Sequence, residues 1–401
     1  MAFQLNDQQL DGIKKVIKWY FSETYRKNWF VVSGVAGSGK STIVSIAIKM
    51  LGLPLQNVIF CTLTGKASLV LRIKGNPSNT IHKTFYSVFK TRNSFGFHLK
   101  KHIDSSIKLI VVDEAAMVSQ PMIDDILSFG TPVLFLGDHN QLPPIFGPNR
   151  MMCLENADVR LTKAMRQSDS SGILTLANMA INGESITLGQ YGASKVVRYS
   201  DIYDKMQDYD VVLTYTNATR RVVNHIIRKH IGRTSVYPEK GDKILCKMNN
   251  YNYLVQYDDI PVYLINGMIG IVNEDAKIEN DVTEYCRLNF TPDFLTQYGD
   301  KDEYKFNVKC FADVFEQYTK DPRKEPFIQM MYDDTIDDET LGEIGLIDFG
   351  YGVTVAASQG SEWKNVLVLA SDFKGPVDTY KKWLYTAITR GKESVTIAFD
   401  I

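Results

Sequence analysis

The chain has 401 residues, 44% hydrophobic and 23% charged, with a formal net charge of −1. That length allows two to four domains with an ample core, the balance is that of a globular protein, and the near-zero charge excludes any argument for a nucleic-acid binder from bulk charge alone. No apolar run approaches the ~18 residues of a membrane helix, Met1-Ala2-Phe3-Gln4-Leu5-Asn6-Asp7 is not a signal-peptide pattern, and Cys61, Cys153, Cys246, Cys286 and Cys310 are never spaced C-x-x-C, which argues against a zinc site and for reduced thiols in a cytoplasm.

The first predicted strand, Trp29-Phe30-Val31-Val32, runs into Gly34-Val35-Ala36-Gly37-Ser38-Gly39-Lys40-Ser41-Thr42. This is the P-loop pattern G-x-x-x-x-G-K-[ST], and Ile43 to Leu51 continues with helical spacing of apolar residues. Glycines there let backbone N–H groups close around phosphate oxygens, and the helix N-terminus adds its positive end. Lys40 is expected on the β- and γ-phosphates and Ser41 on magnesium. A second strand, Val58–Thr62, follows. From Gly75 to Ile103 there is no acid, while Lys83, Lys90, Arg92, Lys100 and Lys101 alternate with Phe85, Tyr86, Phe89, Phe95 and Phe97. Cations and ring faces in one segment are what a single nucleic-acid strand uses, and a solvated hairpin with its rings inward is the equal alternative. Within Ser94-Phe95-Gly96-Phe97-His98, Gly96 suits a tight turn or bulge and Phe97 is the candidate wedge.

A third strand ends in Asp113-Glu114, the acidic pair a P-loop needs: Asp113 for magnesium, Glu114 to orient or deprotonate water. A fourth, Val133-Leu134-Phe135-Leu136, ends in Gly137-Asp138-His139-Asn140-Gln141-Leu142-Pro143-Pro144, where the Gln141 amide suits a γ-phosphate and an attacking water. Val211–Tyr215 and a helix over Thr219 to Lys229 extend the alternation of strands and helices, which implies parallel sheets with crossover helices. From about Lys240 to Gly345 the segments shorten and turns multiply (Asn249-Asn250, Asn266-Gly267, Thr291-Pro292, Tyr298-Gly299-Asp300), so β structure is expected. Val353–Val355, Val366–Leu369 and Val395–Phe399 again read as buried strands. The simplest parse is two α/β domains, the second interrupted by a β-rich insertion. Glu325 to Trp363 holds no Lys or Arg and reads as an acidic loop facing away from phosphates.

Taken together, these segments resemble the motifs of superfamily 1 helicases of the 5′→3′ branch, the RecD/Dda-like group, in their expected order. Leu5-Asn6-Asp7-Gln8-Gln9 resembles the adenine-reading motif, with Gln9 as the contact. Thr62-Leu63-Thr64-Gly65-Lys66-Ala67 resembles motif Ia and Thr80-Ile81-His82 motif Ib. Asp113-Glu114 and Gly137 through Pro143 are similar to motifs II and III. Leu161-Thr162-Lys163-Ala164-Met165-Arg166 resembles motif IV, Thr216-Asn217 the family's Thr-Asn segment, Ser358-Gln359-Gly360-Ser361-Glu362 motif V, and Tyr385-Thr386-Ala387-Ile388-Thr389-Arg390-Gly391 motif VI.

The resemblance implies two RecA-like domains with ATP in the cleft between them: residues 1–165 as the first, with a hairpin insertion at about 84–102, and 166–240 with 346–401 as the second, carrying an SH3-like β-rich insertion at 241–345. It implies Lys40, Glu114, Gln141, Arg166 and Arg390 as catalytic residues. ATP would meet Gln9, Gly34, Ala36, Gly37, Ser38, Gly39, Lys40, Ser41, Thr42, Gly360 and Glu362, with Mg2+ on Ser41 and Asp113. Thr62, Thr64, Lys66, His82, Phe97, Thr216, Asn217, Ser358 and Gln359 would meet the strand. The implied activity is ATP-driven 5′→3′ translocation on single-stranded DNA with duplex separation at forks, by a cytoplasmic monomer beside replication or recombination proteins, without a membrane. The other readings are a protein-stripping translocase, a slow ATP-controlled binding switch and a small-molecule kinase. The sequence departs from the family at Ala356 and Ala357, where a His-Lys pair usually stands, and at Met165, where many relatives carry an aromatic. Two polar groups that would lie near the strand at motif V are therefore missing, and adenine selectivity is expected to rest more on Gln9.

Overall fold

The computed structural model describes residues 5–22, 27–91, 94–144, 147–153, 156–163, 171–279, 285–299, 301–324 and 342–400. Met165, Arg166, Arg92 and the most acidic part of the 325–363 stretch lie outside the described residues. The chain divides into two compact units, Met1–Ser168 and Asp169–Ile401.

The first unit runs α1 (Asp7–Phe21), β1 (Trp29–Gly34), α2 (Lys40–Met50), β2 (Val58–Thr62), α3 (Gly65–Ile73), β3 (Ser78–Thr80), α4 (Ile81–Phe85), β4 (Tyr86–Thr91), β5 (Ser94–Leu99), β6 (Leu109–Asp113), α5 (Gln120–Ser128), β7 (Val133–Gly137) and β8 (Val159–Leu161). Six strands form one sheet in the order β3-β2-β6-β7-β1-β8, and every neighbouring pair is parallel. Successive side chains on a strand face opposite ways. Thus Phe30, Val32, Leu109, Val111, Leu134 and Leu136 pack under α1 and α2 with Ile13, Val16, Ile43 and Val44. Val31, Ile110, Val112, Val133 and Phe135 pack on the other face with Ile81, Phe85, Ile123 and Ile126. Covering both faces explains why these strands read as unbroken apolar runs.

β4 and β5 pair as an antiparallel hairpin from Tyr86↔Leu99 to Thr91↔Ser94. Gly96 sits inside β5 opposite Phe89, and Phe97 opposite Val88, so the chain reverses between Thr91 and Ser94 and not at Gly96 as the sequence suggested. A ladder that pairs every residue from 94 to 99 leaves Gly96 no room for a turn.

The second unit opens with α6 (Ile173–Asn182), β9 (Gly189–Tyr191), β10 (Ser194–Arg198), β11 (Val211–Thr214) and α7 (Asn217–His230). The chain then leaves for β12 (Lys243–Cys246), β13 (Asn250–Tyr257), β14 (Ile260–Leu264), β15 (Ile269–Val272), β16 (Lys277–Glu279), β17 (Tyr285–Pro292), β18 (Phe306–Phe311), α8 (Asp313–Lys320) and β19 (Ile347–Phe349). It returns with β20 (Gly352–Thr354), β21 (Trp363–Leu369), α9 (Val377–Ile388) and β22 (Gly391–Phe399). The main sheet has the order β20-β11-β21-β22-β10-β9, parallel except for β9. The inserted strands pair antiparallel, β16-β17-β15-β12-β19 with β18 on β17, beside the hairpin β13-β14. This sheet extends to Phe349 because Ile347–Phe349 closes on β12, and α8 is a helix inside the segment expected to be β-rich.

A buried polar seam fastens the inserted module to α7. Arg220 and Arg221, 1% and 0% exposed, each donate to Asp348 Oδ2 at 2.8 Å, and Tyr318 Oη donates to Oδ1 at 2.6 Å. One turn pair further on, Arg228 and Tyr351 hold Asp242, which is also fully buried. Burial alone would raise the Asp348 carboxyl, but the two guanidinium groups more than offset it and hold it below the ordinary carboxylate range. A lowered carboxylate contributes stability above its unfolded value and loses it as pH falls through the folded one. Asp348→Ala removes the buried carboxylate that Arg220 and Arg221 share. It is expected to cost about 3–5 kcal/mol in urea unfolding of the full chain at neutral pH; a loss below ~1 kcal/mol would show that the seam is not held by this carboxylate.

Candidate active site

In the first unit, parallel pairing brings the carboxyl ends of β1, β6, β7 and β2 to one edge, and the P-loop, motif II, motif III and motif Ia hang from those ends. The loop after β1 needs its glycines. Gly39 caps α2 in the left-handed region (φ 86°), and a Cβ there would lie 2.6 Å from Gln9 Nε2. A Cβ on Gly34 would lie 2.6 Å from Ser38 Oγ and 2.8 Å from Leu161 Cβ. Lys40 Nζ donates back to the carbonyls of Gly34 (2.7 Å) and Val35 (3.1 Å), which fixes the ammonium inside the loop. Ser38 Oγ is buried with no partner among the described residues. Ala36, Gly37 and Ser41 are half-buried in the same loop, and Thr42 is exposed. A loop whose cradle a side chain would fill, with a cation and an orphaned hydroxyl inside it, fits a polyphosphate.

Gln9 is fully buried. It completes a capping box with Asn6 and donates from Nε2 to Ser38 O at 3.1 Å, so its amide braces the P-loop. Its neighbour Gln8 bridges to Thr162, donating to Oγ1 at 2.9 Å and accepting from N at 3.1 Å. Nothing in the sequence marked Gln8, because a glutamine beside another glutamine has no signature of its own.

Ser41 Oγ donates to Asp113 Oδ2 at 2.9 Å, and Glu114 N donates to Asp113 Oδ1 at 2.8 Å. A hydroxyl and a carboxylate in contact are the hard oxygen donors that Mg2+ takes alongside phosphates and water, so this pair fits that ion. Glu114 holds a left-handed conformation (φ 52°, ψ 40°), which costs a non-glycine residue ~1–3 kcal/mol. After β7, Asp138 is fully buried and turns the chain so that Gln141, 5% exposed, donates from its backbone to Asp138 O at 3.1 Å. His139 Nδ1 lies 2.7 Å from Ser33 Oγ at the end of β1, tying motif III to the P-loop strand. No sequence signature marks this contact; it becomes legible only once β1 and β7 are known to be neighbours.

The candidate strand-contacting hydroxyls make local bonds. Thr62 is fully buried and donates to Thr64 O at 2.8 Å, while Thr64 caps α3 by accepting from Ala67 N. In the second unit Thr214 donates to Thr216 O and Thr216 caps α7 by accepting from Thr219 N, with its own hydroxyl on Asp372. Asn217 is exposed and accepts from Arg220 Nε at 3.2 Å. Ser358 is fully buried and donates to Val355 O. Gln359 (4% exposed) and Ser361 (5%) keep amide and hydroxyl atoms without partners among the described residues. Arg390 donates to Ser361 O (3.3 Å) and Thr386 O (3.1 Å), which uses two of the five donors of a guanidinium. Gly360 is left-handed (φ 77°) and Glu362 is exposed, 3.9 Å from Lys392 Nζ. Lys66 and His82 are half-buried, burial holding the His82 imidazole below its usual range, and the Phe97 ring is 51% exposed, 4.9 Å from that of His82.

The model of an AAA domain matches residues 4–201 and that of a UvrD-like helicase C-terminal domain matches residues 349–398, together more than half of the chain. These matches, in this order, support the resemblance to superfamily 1 helicases of the RecD/Pif1-like, 5′→3′ branch. It is 25% identical to the ATP-dependent RecD2 DNA helicase of Deinococcus radiodurans over 376 residues, covering 90% of this chain and 46% of that protein. It is 23% identical to the uncharacterized protein R530 of Acanthamoeba polyphaga mimivirus, covering 97% of this chain and 98% of that one. The chain thus spans about half the length of RecD2 and nearly all of R530. Its fold is similar to that of Bacteroides Pif1 bound to single-stranded DNA (TM-score 0.54, 16% identity, 100% of this chain and 93% of that one). It is also similar to Candida albicans Pif1 (TM-score 0.53, 13% identity, 99% and 94%).

Two substitutions separate nucleotide binding from turnover at this site. Glu114→Gln keeps the shape of the side chain and removes its basicity. It is expected to retain ATP affinity in fluorescent-nucleotide titrations while phosphate release falls by a factor of about 10² to 10⁴. Lys40→Ala is expected to weaken both. Equal turnover by Glu114→Gln and the parent chain would remove Glu114 from the chemistry.

Proposed function

We propose that the protein is an ATP-dependent DNA helicase that moves 5′→3′ on single-stranded DNA and opens duplex ahead of it. The observation that carries this reading is the first unit's convergence of Lys40, the Ser41–Asp113 contact and Glu114 at one sheet edge, within a unit that also bears the exposed Phe97 hairpin. Lys40 holds the β- and γ-phosphates, and Gly34, Ala36, Gly37, Ser38, Gly39 and Thr42 supply the rest of the cradle. Ser41 and Asp113 hold magnesium. When bound, MgATP supplies the phosphoryl bond whose hydrolysis drives the cycle.

Glu114 takes the proton of the attacking water and Gln141 orients it. Arg390 and Arg166 neutralise the charge that develops on the transferred group. Gln9, with Gly360 and Glu362, frames the rest of the nucleotide. Lys66, His82 and Phe97, with Thr64, Asn217 and Gln359, meet the strand through backbone and base-face contacts that carry little sequence information. The inserted antiparallel module is read as SH3-like. The five free cysteines suit a reducing cytoplasm, and none of the described helices is long and apolar enough to cross a membrane.

Arg390→Ala is expected to bind ATP nearly normally and hydrolyse it about 10³-fold more slowly, since an arginine finger acts on the transition state. A fall of less than about tenfold would make Arg390 structural and leave Arg166 as the finger. In strand-displacement assays duplexes with a 5′ tail should open and those with only a 3′ tail should not. The reverse preference would contradict the polarity, and displacement from neither would contradict the helicase reading.

A further inference from the structure

The hairpin that carries Phe97 is latched to the helix that follows the acidic motif. Tyr86 opens β4, and its hydroxyl donates to the Asp125 carboxylate on α5 at 2.6 Å. Burial, and then that carboxylate, push the phenol well above its ordinary range, so Tyr86 stays a donor at every working pH. On its other side the Tyr86 ring lies 5.7 Å from His82 and 6.4 Å from Phe97. Phe85 packs on Phe129 at the end of α5 (5.4 Å), so the root of the hairpin is also seated by apolar contact.

α5 is tied just as closely to the hydrolytic end. Glu114, in its left-handed conformation, leads into the turn Ala115–Met117, and α5 begins three residues later. Asn149, in the segment that follows motif III, donates to the carbonyls of Ala115 and Ala116, and Gln120 N donates to Pro148 O. A strained backbone persists only where its surroundings over-determine it, so the contacts from Pro148 and Asn149 to the turn and to α5 help to hold Glu114 in this conformation. A covalent and hydrogen-bonded route therefore runs from Glu114 through α5 to Asp125 and Tyr86, and a ring contact carries it on to Phe97.

We propose that the Tyr86–Asp125 hydrogen bond couples the state of Glu114 to the position of Phe97, making Tyr86 and Asp125 positioning residues for strand separation that take no part in nucleotide chemistry. This rests on Phe97 as the group that meets the fork. Its test is a ratio: base pairs opened per ATP hydrolysed by the full chain on a 5′-tailed fork, both rates read in the same reaction.

Tyr86→Phe keeps the ring contacts and removes one hydroxyl. ATP turnover on single-stranded DNA is expected to stay within about twofold, while the ratio falls roughly tenfold, the scale set by a hydrogen bond to a charged acceptor. Asp125→Ala should match it, Asp125→Asn should fall between because its amide oxygen still accepts, and the Tyr86→Phe/Asp125→Ala pair should be no worse than either change alone. An unchanged ratio, additive losses, or turnover and opening falling together with the melting temperature would overturn the coupling. Phe97→Ala in the same assay reads the wedge itself. Lost opening there with a normal Tyr86→Phe ratio leaves the wedge and removes the coupling, whereas full opening by Phe97→Ala overturns both.

Discussion

The nucleotide end of the first unit follows from six strands that all run the same way. Parallel pairing needs a crossover after each strand, and the crossovers put helices on both faces and every strand's carboxyl end on one edge. Residues far apart in the chain then meet: Ser41 touches Asp113 across 72 positions, and Ser33 touches His139 across 106. The P-loop has its shape because β8 lies on one side of β1 and β7 on the other. Val35 N bonds to Leu161 O at the end of β8, and Gly34 has no space for a side chain against Leu161. The phosphate cradle is a consequence of strand order before it is a consequence of glycine.

The same local physics recurs at strand ends in both units. Thr62-Leu63-Thr64 and Thr214-Tyr215-Thr216 each end a strand with a buried threonine that donates to the carbonyl two residues on, and the second threonine caps the next helix. A hydroxyl used as a cap also orients the helix N-terminus, so these residues shape whatever surface the strand ends present. In the second unit the cap is further held by Asp372, which takes the backbone N–H groups of Tyr215 and Thr216 at 2.7 and 2.8 Å. The inserted module depends on a different force. α7 buries Arg220, Arg221 and Arg228, and the carboxylates of Asp348 and Asp242, with Glu239 beside Arg228, help to make that burial tolerable.

Much of this was legible because P-loop chemistry ties function to order along the chain. The strands around Phe30, Ile110 and Leu134 read correctly since two-sided burial leaves unbroken apolar runs, and Val58–Thr62 fell on the observed strand. Three things were not legible. Gly96 signals a turn locally, yet the ladder with Phe89 overrides it. The buried arginines of α7 look like a solvated helix face until Asp348 arrives from more than a hundred residues away. The contacts of Gln8, His139 and Asp125 have no sequence signature, because each is a common polar residue made specific only by its neighbour in space.

On the proposed function, the nucleotide end and the strand-binding surface belong to one cycle. Steady-state ATP turnover by the full chain, with and without single-stranded DNA and over rising salt, tests that directly. Turnover should rise with the strand, and the rise should shrink as salt displaces the phosphate contacts. Turnover indifferent to the strand at low salt would contradict the claim.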